Sequence, residues 1–233
     1  MGKMLALVGL CCFGLLVGPG IASADWAENF DSYALGSGLH GQGGWRGWDG
    51  NPAADAYVSD AFAHSSPHSV SITAASDIVQ AYSGYSTGLW IFTAWVYVPT
   101  DFSGTSYFLL LNTYGEGGPY NWSNQVSFVS ASNTVVSEPE LASLPLILGQ
   151  WVELRVEIDL VADRQIMYYD NQMLYDKSWT DGISGDGALN IACVDLYANN
   201  ASPVYYDDMS LTGSEPPNPV QNTSWGRVKQ LFE

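Results

Sequence analysis

The chain has 233 residues and carries 24 acidic against 7 basic side chains, which gives a formal net charge of −17 at pH 7. This length is enough for one well-buried core and short for two. The acidic surplus argues against nucleic acid and anionic membranes as partners, and it favours cations and neutral molecules.

The first 24 residues have the features of a secretory signal peptide. A basic start at Lys3 precedes an apolar run over 5–17, and Ala22-Ser23-Ala24 supplies the small residues of a cleavage site. The run is too short to span a bilayer comfortably, and no later stretch is apolar for long enough to form a membrane helix. We therefore expect a protein that is secreted or held at the cell surface. Cys193 is then its one remaining cysteine, and the apolar strand around it predicts an inert, buried side chain.

Strand patterns recur along the chain between turn residues, without long helical periodicity. The predicted strands cover 69–73, 89–98, 106–114, 125–130, 151–160, 165–170, 188–198 and 204–211. Many strands with no helices between them predict an all-β fold, an antiparallel sandwich or barrel. The clearest strand is 151–160, in which Val152, Leu154, Val156 and Ile158 alternate with polar residues. Segment 89–98 is apolar on both faces, so we expect it to be central, with one face in the core and the other covered by loops or lining a groove.

The body is predicted to occupy 25–213, followed by a linker and a short tail at 214–233. Pro216, Pro217 and Pro219 mark the linker, because proline cannot donate to a sheet ladder. The tail carries apolar residues at helical spacing and is too short to be a stable helix alone. The hypothesis is a docking or sorting signal that an exported or cell-surface component receives, and the alternative is a frayed terminus.

Two stretches carry a resemblance to a known family. The sequence G-Q-W-V-E-L-R-V-E-I-D, followed by M-Y-Y-D-N-Q-M-L, resembles the core hairpin of laminin-G-like domains, which belong to the concanavalin A-like lectin and glucanase superfamily. Asn171 stands where the turn of that hairpin usually has glycine, and asparagine also tolerates positive φ. The stretches ENFDSYALGS and VYYDDMSL resemble the first and last strands of bacterial jelly-roll carbohydrate-binding modules. The resemblance implies a two-sheet antiparallel jelly-roll sandwich, whose relatives include lectins, adhesive modules and glycosidases.

Glucanases of this superfamily use a Glu-x-Asp-x-x-Glu strand, in which two carboxylates flank the scissile bond. The nearest match here begins at Glu157 and Asp159, but Ala162 stands where the second glutamate is required. A bulged form would need Asp163 instead, at a predicted turn. We therefore interpret this strand face as solvated and predict no catalytic residue on it.

Four acidic residues at the two ends of the body are candidates for a metal site. Asp207 shares the parity of the inward apolar residues in 204–211, and Glu28 shares that of the apolar residues around it. First and last strands are often neighbours in jelly rolls, and two inward carboxylates are costly unless they are paired or bind a cation. In related jelly rolls a structural calcium lies at this junction, so Ca²⁺ is the predicted cofactor, with Asp31 and Asp208 as further ligands. The alternative is that these acids accept hydrogen bonds from backbone amides at a sheet edge.

Aromatic residues in two loops are candidates for binding a sugar. Residues 38–56 hold Trp45 and Trp48 among six glycines, and GEGGPYNWSN, which follows Tyr114, holds Tyr120 and Trp122. Exposed rings stack on the apolar face of a pyranose while polar groups bind its hydroxyls, although loop tryptophans also serve to pin a loop to the core. We predict that Trp45 fills the core edge. The candidate ligand-binding residues are Trp48, Trp122, Tyr114, Tyr120 and Arg46.

These observations predict a secreted, non-catalytic module that binds a polysaccharide or glycan or mediates adhesion. One alternative is a divergent glycoside hydrolase or polysaccharide lyase, which would need a focused carboxylate pair or a Tyr/His/Arg cluster. The other is a structural exported domain with a protein partner, which would need neither that site nor exposed rings.

Overall fold

A computed structural model describes residues 26–183 and 186–214 of the chain. The predicted signal peptide and the tail beyond Ser214 lie outside the described residues. In chain order the strands are β1 (Trp26–Glu28), β2 (Trp45–Gly47), β3 (Tyr57–Ser59), β4 (Ser69–Ile72), β5 (Asp77–Ala81), β6 (Leu89–Tyr97), β7 (Thr105–Thr113), β8 (Asn121–Val129), β9 (Thr134–Ser137), β10 (Ser143–Pro145), β11 (Trp151–Asp159), β12 (Arg164–Tyr169), β13 (Gln172–Lys177), β14 (Cys193–Asn199) and β15 (Val204–Ser214). Two 3-10 turns, Trp48–Gly50 and Pro52–Ala54, lie between β2 and β3. Across the described ranges, no helix is long and apolar enough to cross a membrane.

The strands form two antiparallel sheets. The first sheet has eight strands in the order β13-β12-β11-β6-β15-β4-β3, with β1 pairing beside β4 on β15. The second sheet has seven strands in the order β10-β9-β8-β7-β14-β5-β2. The central pairs β6–β15 and β7–β14 join strands that are far apart in the chain, as the crossovers of a jelly roll require. The predicted all-β, two-sheet antiparallel sandwich is confirmed.

The main core lies between the two sheets and follows from strand alternation. In β11, Val152, Leu154, Val156 and Ile158 are buried, and the residues between them are half-exposed. Side chains of the second sheet meet them from the other side, and Phe92 of β6 packs on Phe108 of β7 with ring centroids 5.7 Å apart. The period of two in 151–160 therefore identified the inward face correctly.

Segment 89–98 is central, as predicted, and its second face is covered. β6 lies between β11 and β15 in the first sheet. On the outer face of this sheet, a loop preceding β4 places Phe62 on Tyr97 and His64 on Trp95, with ring centroids 4.2 and 3.9 Å apart. The outer face of the first sheet is thus occupied by the protein itself over this part of β6.

The predicted hairpin turn of 165–177 is also present. Asp170 and Asn171 connect β12 to β13 and have φ angles of 49° and 57°. Both residues are thus in the left-handed region, and asparagine fulfils the role that glycine has in the resembling hairpins.

The prediction for 188–198 was wrong over its first part, because β14 begins at Cys193. Residues before it bind to the end of β7 instead of continuing the ladder. The backbone N–H of Ala188 donates to Asn112 Oδ1 (3.1 Å), and the side-chain amide of Asn190 donates to the Asn112 backbone oxygen (3.2 Å). At the other end of the body, β15 extends to Ser214, one residue beyond the predicted boundary.

Candidate functional site

The outer face of the second sheet carries a small apolar cluster of its own. Val79 of β5, Leu109 and Leu111 of β7 and Cys193 of β14 are buried there. They alternate with residues that face the main core, so they point away from it. Burial raises the pKa of the Cys193 thiol well above its ordinary value, which agrees with the predicted inert cysteine. The cluster is buried because aromatic side chains cover it.

Three of these aromatic residues form one wall of a groove. Trp48 lies nearly parallel to Trp122, with ring centroids 6.0 Å apart and planes 11° apart. The ring of Tyr120 contacts both indoles, with its centroid 4.8 Å from Trp48 and 6.0 Å from Trp122. All three are partly exposed. We call Trp48, Tyr120 and Trp122 the aromatic wall.

Asp49 fixes the loop that carries Trp48 to the connection between β7 and β8. Its carboxylate accepts hydrogen bonds from the Tyr120 hydroxyl (2.6 Å) and from the backbone N–H of Gly117 (2.9 Å). The hydrogen bond to Asp49 raises the pKa of Tyr120, so the phenol stays a donor at neutral pH. On the other side of Trp48, Gly47 has no space for a side chain, because a Cβ would lie 2.0 Å from the backbone oxygen of Asn51. The orientation of the Trp48 indole is therefore set by its neighbours on both sides.

The groove runs from this wall across four neighbouring strands of the second sheet, β8, β7, β14 and β5, and has a volume of about 430 Å³. Leu109 forms its floor, and the register places Gln125 of β8 and Asp195 of β14 on either side of it. Two residues along the strands, Tyr107 is paired with Tyr197, and their rings stack at 5.5 Å with planes 22° apart. The groove thus has aromatic rings at both ends and polar side chains between them.

Two carboxyl groups, Asp77 and Asp195, lie in this groove as a pair. Asp195 is only 3% exposed, and its carboxyl group is hydrogen-bonded to that of Asp77 on the neighbouring strand. Burial raises the pKa of Asp195 well above its ordinary value, and the charge of Asp77 adds to this effect. Burial also raises the pKa of Asp77 to about 6, while the hydrogen bond from Asp195 opposes the rise. A hydrogen bond between two carboxyls requires a proton on one of them, so Asp195 is the donor and Asp77 the acceptor.

The acid pair, Asp77 with Asp195, receives few hydrogen bonds from the rest of the protein. Apart from the hydrogen bond between the two carboxyls, the buried Oδ1 atom of each residue has no N–H or hydroxyl partner among the described residues. Buried polar groups are normally hydrogen-bonded, and an exception calls for an explanation such as a bound molecule or a catalytic role. The acid pair is therefore the most unusual feature of the groove.

The five residues predicted to bind a ligand separate into two groups. The aromatic wall lines the groove. Tyr114 packs edge-on behind Trp48, with centroids 5.2 Å apart, and lines a neighbouring depression together with Arg46. The guanidinium Nε of Arg46 lies 2.6 Å from Glu116 Oε1, so this cation is already paired. Trp122 also lies within β8 and not in the preceding loop.

Sequence reasoning missed five groove residues: Asp77, Tyr107, Gln125, Asp195 and Tyr197. The sequence does mark Asp195, because it is an acidic residue inside an apolar strand pattern and lies on the same face of that strand as Tyr197. The pairing of Asp195 with Asp77 could not be read, since it depends on β14 lying beside β5, from a distant part of the chain.

The carboxylates predicted to bind calcium lie near the junction of β1 and β15, which pair antiparallel. Asp207 is buried and accepts hydrogen bonds at Oδ2 from the backbone N–H groups of His64 (2.8 Å) and Ser65 (3.0 Å). Burial raises its pKa to about 6, against the effect of these hydrogen bonds. Asp208 binds the side chains of the same two residues, with His64 Nδ1 at 2.6 Å and Ser65 Oγ at 2.7 Å.

The other two predicted ligands are also engaged by protein groups. Glu28 accepts hydrogen bonds from the Phe30 backbone N–H (2.8 Å) and the Tyr33 hydroxyl (2.6 Å), and Asp31 accepts one from the His68 backbone N–H (3.0 Å). In the described ranges, no group of three or more His, Cys, Asp or Glu side chains is placed to hold a metal ion. These hydrogen bonds explain the burial of the acids without a cation, which is the alternative to calcium given in the sequence analysis. Calcium at this junction stays a prediction.

The glucanase-like strand lies on the opposite sheet from the groove. Glu157 projects from the outer face of β11, 3.7 Å from the Arg155 guanidinium. Asp159 Oδ1 accepts hydrogen bonds from the backbone N–H groups of Val161 and Ala162, both at 2.8 Å, and so stabilises the turn that follows. These contacts give both carboxylates structural roles.

The architecture resembles that of several solved structures at low sequence identity. No protein-family model and no curated protein matches the chain. "Cellulose induced protein, Cip1" is 13% identical, with 83% of this chain and 100% of that chain covered and a TM-score of 0.52. A mutant of the alginate lyase Aly36B, in complex with alginate tetrasaccharide, is 14% identical, with 82% and 98% covered and a TM-score of 0.53. The fold is a jelly-roll sandwich. A structure named "Sialidase" is 7% identical with a TM-score of 0.56, and the match covers 83% of this chain and 19% of that chain.

Proposed function

We propose that the protein binds a polysaccharide in the groove of the second sheet and does not cleave it. The observation that carries this proposal is the combination, in one groove, of stacked aromatic rings and a pair of carboxyl groups that are partnered mainly by each other. Several proteins of similar fold are named for carbohydrate chemistry, which supports a carbohydrate ligand without identifying it.

Sugars match this chemistry because each pyranose has an apolar C–H face and a rim of hydroxyl groups. The aromatic wall and the Tyr107–Tyr197 pair offer flat apolar surfaces at the two ends of the groove. Gln125 and the acid pair lie between them and bind hydroxyls. A groove of about 430 Å³ is within the range of small-molecule sites, roughly 300–1,000 Å³.

The groove is poorly suited to hydrolysis. Glycosidases place two carboxyl groups on either side of the scissile bond, about 5 Å apart or more. Asp77 and Asp195 are hydrogen-bonded to each other, so no glycosidic bond fits between them. Elimination from a uronic acid requires a cation to neutralise the sugar carboxylate, and no Lys, Arg or His among the described residues lines the groove. These features favour binding over catalysis.

Affinity electrophoresis of the full chain in gels that contain soluble polysaccharides tests the proposal. The wild type should be retarded by at least one polysaccharide, and Trp122→Ala should lower its affinity about tenfold or more, because it removes part of the aromatic wall. Trp90→Ala on the first sheet is the matched control and should leave the retardation unchanged. The absence of retardation by every neutral and acidic polysaccharide, or an equal loss in both variants, would reject the groove as a binding site. Release of shorter products from a retained polysaccharide would show an enzyme.

Export and the role of the tail also remain proposals. Both depend on residues outside the described ranges, namely 1–24 and 215–233. The protein should appear in the medium or at the cell surface with Asp25 as its first residue, which N-terminal sequencing of the native protein would establish. A protein that keeps Met1 and stays in the cytoplasm would contradict this proposal.

A further inference from the structure

The charges around the groove all have the same sign. Two acidic residues, Asp77 and Asp195, line it. Two more border it: Asp49 raises the pKa of Asp77, and Glu138 raises that of Tyr107 and accepts a hydrogen bond from Gln125 Nε2 at 2.5 Å. The guanidinium of Arg46 lies in the neighbouring depression and is paired with Glu116. No Lys, Arg or His of the described ranges lines the groove, so a ligand there meets a negative field.

We propose that the groove binds uncharged sugars and rejects uronic acids, and that Asp77 and Asp195 are the residues that determine this selectivity. The inference rests on the proposed function, since it names the class of ligand for the same site. It also separates this protein from the alginate lyase of similar fold, whose structure holds a uronic-acid oligosaccharide.

The hydrogen-bonding capacity of the acid pair gives the first reason. The pair holds one proton for its own hydrogen bond, and Asp77, the less buried member, lines the groove. A carboxylate accepts hydrogen bonds and hydroxyl groups donate them, so a neutral pyranose supplies donors for Asp77. A carboxylate has acceptor atoms only and cannot replace a hydroxyl at this position.

Electrostatic repulsion gives the second reason. A uronic acid is ionised at neutral pH and would place its charge beside Asp77 and within the field of Asp49 and Glu138. Sites built for carboxylates use arginine or lysine to bind them, and juxtaposed like charges exclude the wrong partner.

Pairs of oligosaccharides that differ only in oxidation at C6 test the inference. The probes are hexamers of the β-1,4-gluco, manno and galacto series, each as the neutral sugar and as the uronate, titrated calorimetrically into the full chain at pH 7.5. In any series that binds, the neutral member should bind at least about tenfold more tightly than its uronate. The double variant Asp77→Asn, Asp195→Asn should reduce this ratio about tenfold, because the amides remove the charge and add donors for a carboxylate.

Two controls distinguish selectivity from a structural effect. Glu157→Gln removes one negative charge from the opposite sheet and should leave the ratio unchanged. A purely structural defect would weaken the two members of a pair equally, and Asp77→Asn alone, at the less buried position, provides the same test if the double variant does not fold.

The outcomes separate the two proposals. A wild-type protein that binds a uronate as tightly as its neutral partner overturns the inference and leaves polysaccharide binding in place. An unchanged ratio in the double variant, or in Asp77→Asn, also overturns it. A wild-type protein that binds none of the six probes and is not retarded by any polysaccharide removes the proposed function and the inference with it.

Discussion

The acid pair should make the stability of the protein fall as the pH rises, and Asp77→Asn should remove the part of that fall that comes from Asp77. Burial raises the pKa of Asp77 from 3.8 to about 6, so the folded chain holds a proton that the unfolded chain has released. Where the folded state binds more protons, the free energy of unfolding decreases with increasing pH. For Asp77 the decrease begins near the unfolded pKa of about 4 and is complete above its folded pKa of about 6. The contribution of Asp195 extends to higher pH, because burial raises its pKa well above its ordinary value.

The pKa shift of Asp77 sets the size of the effect. A rise from 3.8 to about 6 corresponds to about 3 kcal/mol, and partial exposure of Asp77 lowers the expected value to about 1–3 kcal/mol. The side-chain amide introduced by Asp77→Asn can still accept the hydrogen bond from Asp195 but cannot ionise, so the variant lacks the cost of ionising this partly buried position. We expect Asp77→Asn to be more stable than the wild type by about 1–3 kcal/mol at pH 8 and to match it near pH 4.5.

Urea unfolding at constant ionic strength from pH 4.5 to 8 measures this difference. Some pH dependence will remain in the variant, because burial also raises the pKa of Asp207 to about 6. The measured quantity is therefore the difference between the two proteins, and Asp159→Asn on the first sheet controls for net charge. A difference that does not change with pH, or a variant that loses stability by the same amount throughout, would refute a shared proton.

Three further predictions follow from the fold and the termini. Ile158→Ala, in the core, should cost about 2–5 kcal/mol of unfolding free energy, while Val161→Ala, at a site 74% exposed, should cost under about 0.5 kcal/mol; equal costs in urea melts would contradict the assigned inward face of β11. Calcium at the β1–β15 junction should raise the melting temperature relative to EDTA, since a ligand at 100 times its Kd adds about 2.7 kcal/mol; identical melts and no metal by elemental analysis would reject it. A chain that stops after Ser214, where β15 ends, should keep its melting temperature and its retardation by polysaccharide, whereas unfolding on truncation would show that the tail is part of the fold.

The sequence predicted a strand correctly where the residues of that strand alone show a clear hydrophobic pattern. The alternation in 151–160 identified β11, and the run 89–98, apolar on both faces, identified β6. In both cases the pattern of consecutive residues shows whether one or both faces of the strand are buried. Three-residue strands such as β2 and β3 are too short to show a period. They are held in place by pairing with β5 and β4, and pairing is a property of the assembled sheet.

The site was predicted in part for the same reason. Large rings in polar loops stand out in a sequence, so three residues of the aromatic wall were found. The acid pair was missed because neither aspartate is unusual until the sheet places it next to the other. Arg46 was assigned to the ligand because it lies between Trp45 and Trp48 in the chain, but the structure places it in the neighbouring depression, where Glu116 pairs with its guanidinium.

Buried aspartates on the two sheets show how the same residue type can serve structure or function. Asp207, on the first sheet, accepts two backbone N–H groups from a loop, and that loop covers the outer face of its sheet through His64 on Trp95. Its burial cost is offset by hydrogen bonds that hold this loop on the sheet. Asp195, on the second sheet, is equally buried but has only Asp77 as a partner, and the outer face above it is open. For stability alone, an apolar residue in place of Asp195, packed among Leu109 and Val79, would be less costly than this buried carboxyl. The uncompensated carboxyls of the open face are therefore better explained by a ligand than by packing.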